Sequence, residues 1–102
     1  MAATPDTVFT AADLDGRRGT ARWFLQRGRE LARAGRLEDA RRCYRRSLEL
    51  FPTAAAHTGL AGLHTRLGQW ADAETSYIRA LRLAPTFPTA RQGLVRLLAQ
   101  AN

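Results

Sequence analysis

Two segments of this chain carry nearly the same arrangement of residue types, and this internal repeat limits what the chain can fold into. The segments run from Gly35 to Pro52 and from Gly68 to Pro85. Between these end points an alanine, a tyrosine and two leucines recur at a spacing of 33 residues. A repeat length in the thirties is typical of solenoids, in which supersecondary units stack and each unit buries its apolar face against its neighbours.

Each copy of the repeat predicts a pair of helices. Gly35 and Gly68 are placed to end a first helix, because glycine readily adopts the left-handed conformation that often terminates a helix. An apolar residue two positions later, Leu37 or Trp70, begins the second helix. The proline that closes each copy ends that helix, since proline cannot continue it.

The shared residues resemble the tetratricopeptide repeat family, in its small bacterial-type members. The matching residues of the first copy are Phe24, Gly28, Leu31, Gly35, Ala40, Tyr44 and Pro52, and those of the second are Leu60, Gly68, Ala73, Tyr77, Ala80 and Pro85. Gly93, Leu94 and Leu97 begin a third copy. Ser47 and His57 depart from the pattern, where alanine and an aromatic residue are usual.

The resemblance implies an all-α fold, a right-handed helical-hairpin solenoid with two units and a C-terminal helix. We expect unit 1 over residues 20–52, unit 2 over residues 53–85 and the terminal helix over residues 88–100. Residues 1–19 lack a long period and contain glycine and proline, so we interpret them as a flexible lead-in with at most a short helical turn.

In tetratricopeptide stacks the first helices of successive units line a concave groove that faces ligand, so the resemblance implies such a groove here. The residues expected to line it are Arg22, Gln26, Arg29, Arg33, Thr58, Gly62, Thr65, Arg66, Gln92 and Arg96. Gly59 and Gly62 are expected to leave room in the middle, where a backbone or an apolar side chain could approach. The acidic lead-in offers an alternative occupant, folding back over the groove and inhibiting it.

The positive charge of the chain is concentrated in the first unit. Residues 17–46 contain 11 arginines and three acids, a net charge of +8, whereas the rest of the chain carries −1. Arginine presents a planar fork that meets a carboxylate with two hydrogen bonds. The sequence therefore predicts a non-catalytic protein-protein interaction adaptor that binds an acidic peptide or partner segment in the groove.

Two alternative functions stay open. The first is a nucleic-acid-binding accessory protein that neutralises phosphates with its first repeat, through Arg17, Arg18, Arg41, Arg42, Arg45 and Arg46. The second is a structural oligomerisation subunit, such as a homodimer, that assembles through the C-terminal helix. Leu94, Val95, Leu97 and Leu98 cannot all face the preceding unit, so we expect an exposed apolar patch there.

The sequence does not favour an enzyme, a metal site or a cofactor. His57 and His64 are seven residues apart, too far for the usual metal pair on one helix. Arginines around Cys43 could lower its pKa, but no partner base is evident. A single cysteine suits a reducing cytoplasm, and we expect a cytoplasmic protein without a membrane partner. The N-terminus has no basic start followed by an apolar core, so we expect no secretory signal.

Overall fold

The computed structural model describes the backbone of residues 11–101 and the side chains of residues 14–100. Within that range the chain forms five α-helices, which are α1 (Ala11–Arg33), α2 (Leu37–Leu50), α3 (Ala54–Arg66), α4 (Trp70–Leu83) and α5 (Pro88–Ala101). Helix α1 packs against α2 and α3 packs against α4 as two hairpins, and α5 packs on α4 and α3. The predicted all-α helical-hairpin solenoid is thereby confirmed.

The first helix is longer than predicted. The sequence places its start at Thr20, whereas α1 already includes Ala11 to Gly19. The Thr20 hydroxyl donates a hydrogen bond of 3.0 Å to the Gly16 carbonyl one turn earlier. Once a helix is held by packing, each added residue gains a hydrogen bond, and one glycine costs only about 1 kcal/mol. The lead-in before Ala11 lies outside the described residues, so its folding over the groove stays a prediction.

A glycine closes the turn inside each hairpin. Gly35 has φ of 81° and Gly68 has φ of 74°. In the second turn the Gly68 N–H donates to the Thr65 carbonyl, and the Gln69 N–H donates to the His64 carbonyl. The corresponding two bonds close the first turn. This pattern is the Schellman motif, which satisfies carbonyl groups that the end of a helix would otherwise leave unpaired.

A buried tyrosine joins each unit to the first helix of the next. An alanine Cβ at Gly28 in α1 would lie 2.9 Å from Cε1 of Tyr44, and one at Gly59 in α3 would lie 2.6 Å from the same atom. Gly93 in α5 stands in the same relation to Tyr77. Each ring therefore fills the space that a missing side chain leaves, which lets consecutive first helices approach closely.

A buried polar contact ties α2 to α1. Ser47 stands where the family usually has alanine, and its hydroxyl donates a hydrogen bond of 2.7 Å to the carbonyl of Ala21. Both residues are buried. Because this hydroxyl has a partner, no side-chain donor of Ser47 is left unpaired at this contact between α1 and α2.

Candidate partner-binding groove

The first helices of the units lie side by side and form the wall of a groove. Helix α3 contacts α1 on one side and α5 on the other. The concave depression between them has a volume of about 310 Å³. Tyr44 of α2 lies in its wall, together with Ala55 and Leu63 of α3. Phe87 and Thr89, at the start of α5, border its far side.

Four of the predicted groove residues lie together in this depression, namely Arg29, Thr58, Gly62 and Arg66. No atom lies within 4 Å of the place where a Gly62 side chain would begin, so a ligand backbone can approach there. The prediction that Gly59 leaves room for a ligand is wrong, because the Tyr44 ring occupies that space. The Thr58 hydroxyl donates to the Ala54 carbonyl at 2.7 Å, which leaves its oxygen as an acceptor.

Two of the predicted residues on α1 line other surfaces. Arg22 lies two helical turns before Arg29, about 10 Å along the axis, so it is level with the connection between α2 and α3. Gln26 borders a shallow depression with Trp23 and Glu30. Residues at helical spacing share a face of α1 but not a level, so Arg22 and Gln26 border depressions other than the one at Arg29, and one continuous groove through all of them stays a prediction.

The predicted residues toward the C-terminus also lie apart from this groove. Gln92 and Arg96 border a depression on α5 together with Val95. Thr65 is half-buried in α3, and its hydroxyl donates a hydrogen bond of 2.9 Å to the Ala61 carbonyl. The helical period alone could not separate these residues from the groove, because it does not tell how α5 is placed against α3.

Three guanidinium groups act on the hydroxyl of Tyr44. Burial raises the pKa of Tyr44 above its ordinary value of 10.0, while the charges of Arg29, Arg33 and Arg66 act in the opposite direction. The phenol is therefore protonated at neutral pH. Among the residues that the structure describes, its hydroxyl has no hydrogen-bond partner. It is thus an unused donor beside positive charge, which suits a carboxylate.

Arg66 is held in place by the first unit. Its Nη1 donates a hydrogen bond of 2.9 Å to the carbonyl of Ala32, in the last turn of α1. A cation at this end of a helix also meets the negative end of the helix dipole. Arg66 therefore links the first helices of the two units as well as adding charge to the groove.

Five arginines on the flanks of the first unit have carboxylate partners, whereas Arg45 has none in the described part of the chain. The flanking pairs are Arg27 with Glu30, Arg36 with Asp39, Arg41 with Glu38, Arg42 with Asp39 and Arg46 with Glu49, at 2.6 to 3.7 Å. Arg22, Arg29 and Arg33 have no ion pair with a carboxylate in the described part of the chain. The chain itself thus neutralises much of the flank but leaves the groove-side charge unpaired.

The candidate oligomer face on α5 is smaller than predicted. Leu97 is only 3% exposed and belongs to the core, and Leu94 is half-buried against it, so neither can contact another molecule freely. Val95 is 69% exposed and Leu98 is 43% exposed. Because helix α5 presents Leu94 and Leu97 to the units before it, only Val95 and Leu98 remain for an oligomer contact.

A pocket with two basic residues beside it was not predicted. The guanidinium carbon of Arg18 lies 4.7 Å from the centre of the Phe51 ring, a cation–π contact. Both residues border a pocket of about 230 Å³ together with Arg22 and Leu25. The spacing of four residues between Arg18 and Arg22 is the signal that could have found it, but using that signal requires knowing that α1 extends upstream of Thr20.

Three further features bear on what the protein can do. Burial raises the pKa of the Cys43 thiol above its ordinary value of 9.0, and outweighs the charge of Arg27, so the lowering considered from the sequence is wrong. No cluster of three or more His, Cys, Asp or Glu side chains able to hold a metal occurs among the residues with described placement. None of the helices described here combines the length and the apolar character needed to cross a bilayer.

A stack of helical hairpins with an open groove along its first helices defines a helical-repeat binding module. The family model described as tetratricopeptide repeat matches residues 25–88, more than half of the chain. The chain belongs to the tetratricopeptide repeat family, whose repeats generally mediate protein-protein interactions. A comparison with curated proteins found no match.

Proposed function

We propose that the protein is a non-catalytic cytoplasmic adaptor that binds an acidic peptide, or an acidic segment of a partner protein, in the groove between α1 and α3. The observation that carries this proposal is the contrast in pairing. Five arginines on the flanks have carboxylate partners within the chain, whereas Arg29 and Arg33 have none among the described residues. A ligand that brings carboxylates would supply the missing partners.

The groove offers a suitable set of donors for such a ligand. Arg29 and Tyr44 border the depression, and Arg33 lies one turn further along α1, where its charge acts on the Tyr44 hydroxyl. A hydrogen bond to a charged group contributes about 1.5–3 kcal/mol when it is shielded from water. Because these arginines are exposed, we expect contributions at or below the lower limit, and hence a ligand of modest affinity that depends on several carboxylates.

Fluorescence anisotropy with a labelled peptide of alternating aspartate and glycine tests the proposal. The groove variant carries Arg29→Gln and Arg33→Gln, and the matched control carries Arg42→Gln and Arg46→Gln, which removes the same charge from the paired flank. We expect about tenfold weaker binding for the groove variant, the loss of one charge-assisted hydrogen bond, and a change below about twofold for the control. Equal losses in both variants would show that the peptide responds only to net charge and would contradict the proposal.

The nucleic-acid alternative has less support. Three of its six arginines, Arg41, Arg42 and Arg46, already approach carboxylates. A labelled oligonucleotide in the same anisotropy experiment separates the two functions. This alternative would be favoured if the flank variant lost oligonucleotide binding and the groove variant kept it. The affinity should also decrease steeply as the salt concentration rises.

A second candidate function, self-association through α5, has an observation of its own. Val95 and Leu98 stand 34 residues after Ala61 and His64, which occupy the equivalent places in α3. Ala61 and His64 are buried, whereas Val95 and Leu98 are exposed. We propose that a second copy of the chain covers this face. Sedimentation at several protein concentrations tests it.

A further inference from the structure

The groove continues past Ala55 into a smaller pocket. Ala55 borders both the depression at Tyr44 and the pocket of about 230 Å³ beside the connection between α2 and α3. Leu25 from α1 and Phe51 from the end of α2 form apolar walls of this pocket. A peptide that lies in the groove can therefore place one side chain here without leaving the protein surface.

Polar groups inside the pocket are already engaged with the backbone. The Ser47 hydroxyl donates to the Ala21 carbonyl at 2.7 Å, and the Thr53 hydroxyl oxygen accepts the Ala56 N–H at 3.1 Å. Since each hydroxyl already makes one backbone hydrogen bond, a neutral polar side chain that enters exchanges its water for few partners, which is unfavourable. An apolar side chain would instead cover the carbon surface of Leu25 and Phe51.

The rim of the pocket is positively charged. Arg18 and Arg22 are four residues apart and hence lie on one face of α1. Arg18 stacks on the Phe51 ring at 4.7 Å, which places its charge directly at the edge of the apolar wall. Arg22 is exposed and has no ion pair with a carboxylate in the part of the chain that the structure describes.

We infer that this pocket anchors one aliphatic side chain of the acidic ligand, while Arg18 and Arg22 bind a carboxylate next to that side chain. The inference rests on the proposed function and adds a sequence requirement to it. Arg22 and Arg29 are about 10 Å apart along α1, a distance that an extended peptide covers in about three residues. The ligand is thus a peptide in which an aliphatic residue adjoins an acid and a second acid follows about three residues after the first.

Labelled decapeptides test this requirement. The probe has a glycine and serine background, the pair Leu-Asp, and a second Asp three residues further on; its partner peptide has Ser in place of Leu. We expect the leucine peptide to bind wild type about tenfold more tightly, as burial of one aliphatic side chain allows. The variant Phe51→Ser should reduce this preference below about twofold, since it removes an apolar wall.

Three further variants keep the test decisive. Arg18→Gln should weaken both peptides and keep the preference for leucine, and Arg82→Gln, which removes an exposed arginine on α4, should change neither. Ala55→Leu fills the pocket without removing a wall. It replaces Phe51→Ser in the test if circular dichroism shows that Phe51→Ser is unfolded. It should also remove the preference.

The outcomes separate this inference from the proposed function. If no acidic peptide binds, the proposed function fails, and the pocket has no acidic ligand to anchor. If acidic peptides bind but leucine gives no gain, the pocket does not anchor a side chain and the inference alone is overturned. The same holds if the preference for leucine survives in a folded Phe51→Ser or Ala55→Leu variant.

Discussion

Tyr44 has both a packing role and a chemical one. Its ring lies against Gly28 of α1 and Gly59 of α3, so it sets how closely the two first helices approach. Its hydroxyl lies within reach of the charges of Arg29 and Arg66 in the groove. The same contact that joins the units therefore also places a hydrogen-bond donor where a ligand would lie.

Two glycines of α3 should respond in opposite directions to the same substitution. An alanine Cβ at Gly59 would lie 2.6 Å from Cε1 of Tyr44, so the ring must shift, and we expect Gly59→Ala to lower the free energy of unfolding by about 1–3 kcal/mol. At Gly62 the space is open, and Gly62→Ala should raise it by about 0.5–1 kcal/mol through helix propensity. Urea unfolding followed by circular dichroism measures both. A Gly59→Ala variant as stable as wild type would show that the ring does not need this space.

His57 should make the protein less stable in mild acid. Its Nδ1 is buried without a hydrogen-bond partner among the described residues. Burial, with a further contribution from the charge of Arg79, lowers its pKa below the ordinary value of 6.5. Above that pH both folded and unfolded chains hold the neutral ring. As the pH falls through 6.5 the unfolded chain binds the proton first, so the free energy of unfolding falls until the pH is below the folded pKa.

The variant His57→Phe isolates this effect. It replaces the unpaired nitrogen by carbon, so we expect a gain of about 1 kcal/mol at neutral pH and a smaller loss of stability below pH 6.5. His64→Phe is the control, because the Nδ1 of His64 already lies 2.6 Å from Oε1 of Gln69 and loses that bond. Urea unfolding at several pH values compares the three proteins. An unchanged pH dependence in His57→Phe would assign it to other groups.

At the scale of the helices, the turn of each hairpin is closed by two backbone hydrogen bonds around a glycine. The glycine at each turn has positive φ, and no atom lies within 4 Å of an added Cβ at either position. The cost of replacing these glycines is therefore a cost of backbone conformation and not of packing. This separates the hairpin turns from the glycines that contact tyrosine rings.

Substitution of Gly68 measures that conformational cost. Gly68→Ala forces a side chain into the left-handed region, and we expect the free energy of unfolding to fall by about 1–2 kcal/mol. Gly68→Asn should lose less, because asparagine tolerates this conformation better. Thermal and urea unfolding provide the comparison. Equal losses for alanine and asparagine would point to a hidden contact at the turn instead of backbone conformation.

Helix boundaries and lateral packing were not equally predictable from the sequence. Repeated glycine and proline residues predicted the ends of α2, α3 and α4, because these residues act through local backbone geometry. The start of α1 was predicted too late, since Gly16 and Gly19 look like a boundary but only weaken a helix that packing elsewhere supports. The predicted stripe of groove residues borders several depressions, because the period of one helix gives the direction of its side chains and not their level against neighbouring helices.

At the scale of the whole molecule, the two ends of the stack present different surfaces. Unit 1 carries the groove-side arginines without carboxylate partners, within a segment of net charge +8. Helix α5, the last helix of the described part of the chain, exposes Val95 and Leu98. The residues at the equivalent places in α3 are buried. Charge at one end and an uncovered helix face at the other suit two different contacts, one with an acidic ligand and one with a second copy.

The exposed face of α5 gives the last prediction. If a second copy covers Val95 and Leu98, the double variant Val95→Glu and Leu98→Glu should be monomeric where wild type is a dimer, because four acids would then meet across a two-fold interface. Sedimentation over a range of concentrations should show at least about tenfold weaker association, the cost of separating one buried aliphatic contact. Leu14→Glu, an exposed leucine on α1 at the other end of the stack, is the control and should leave association unchanged. A wild-type mass that stays monomeric at all concentrations would contradict self-association and leave this face to a helix of a different protein.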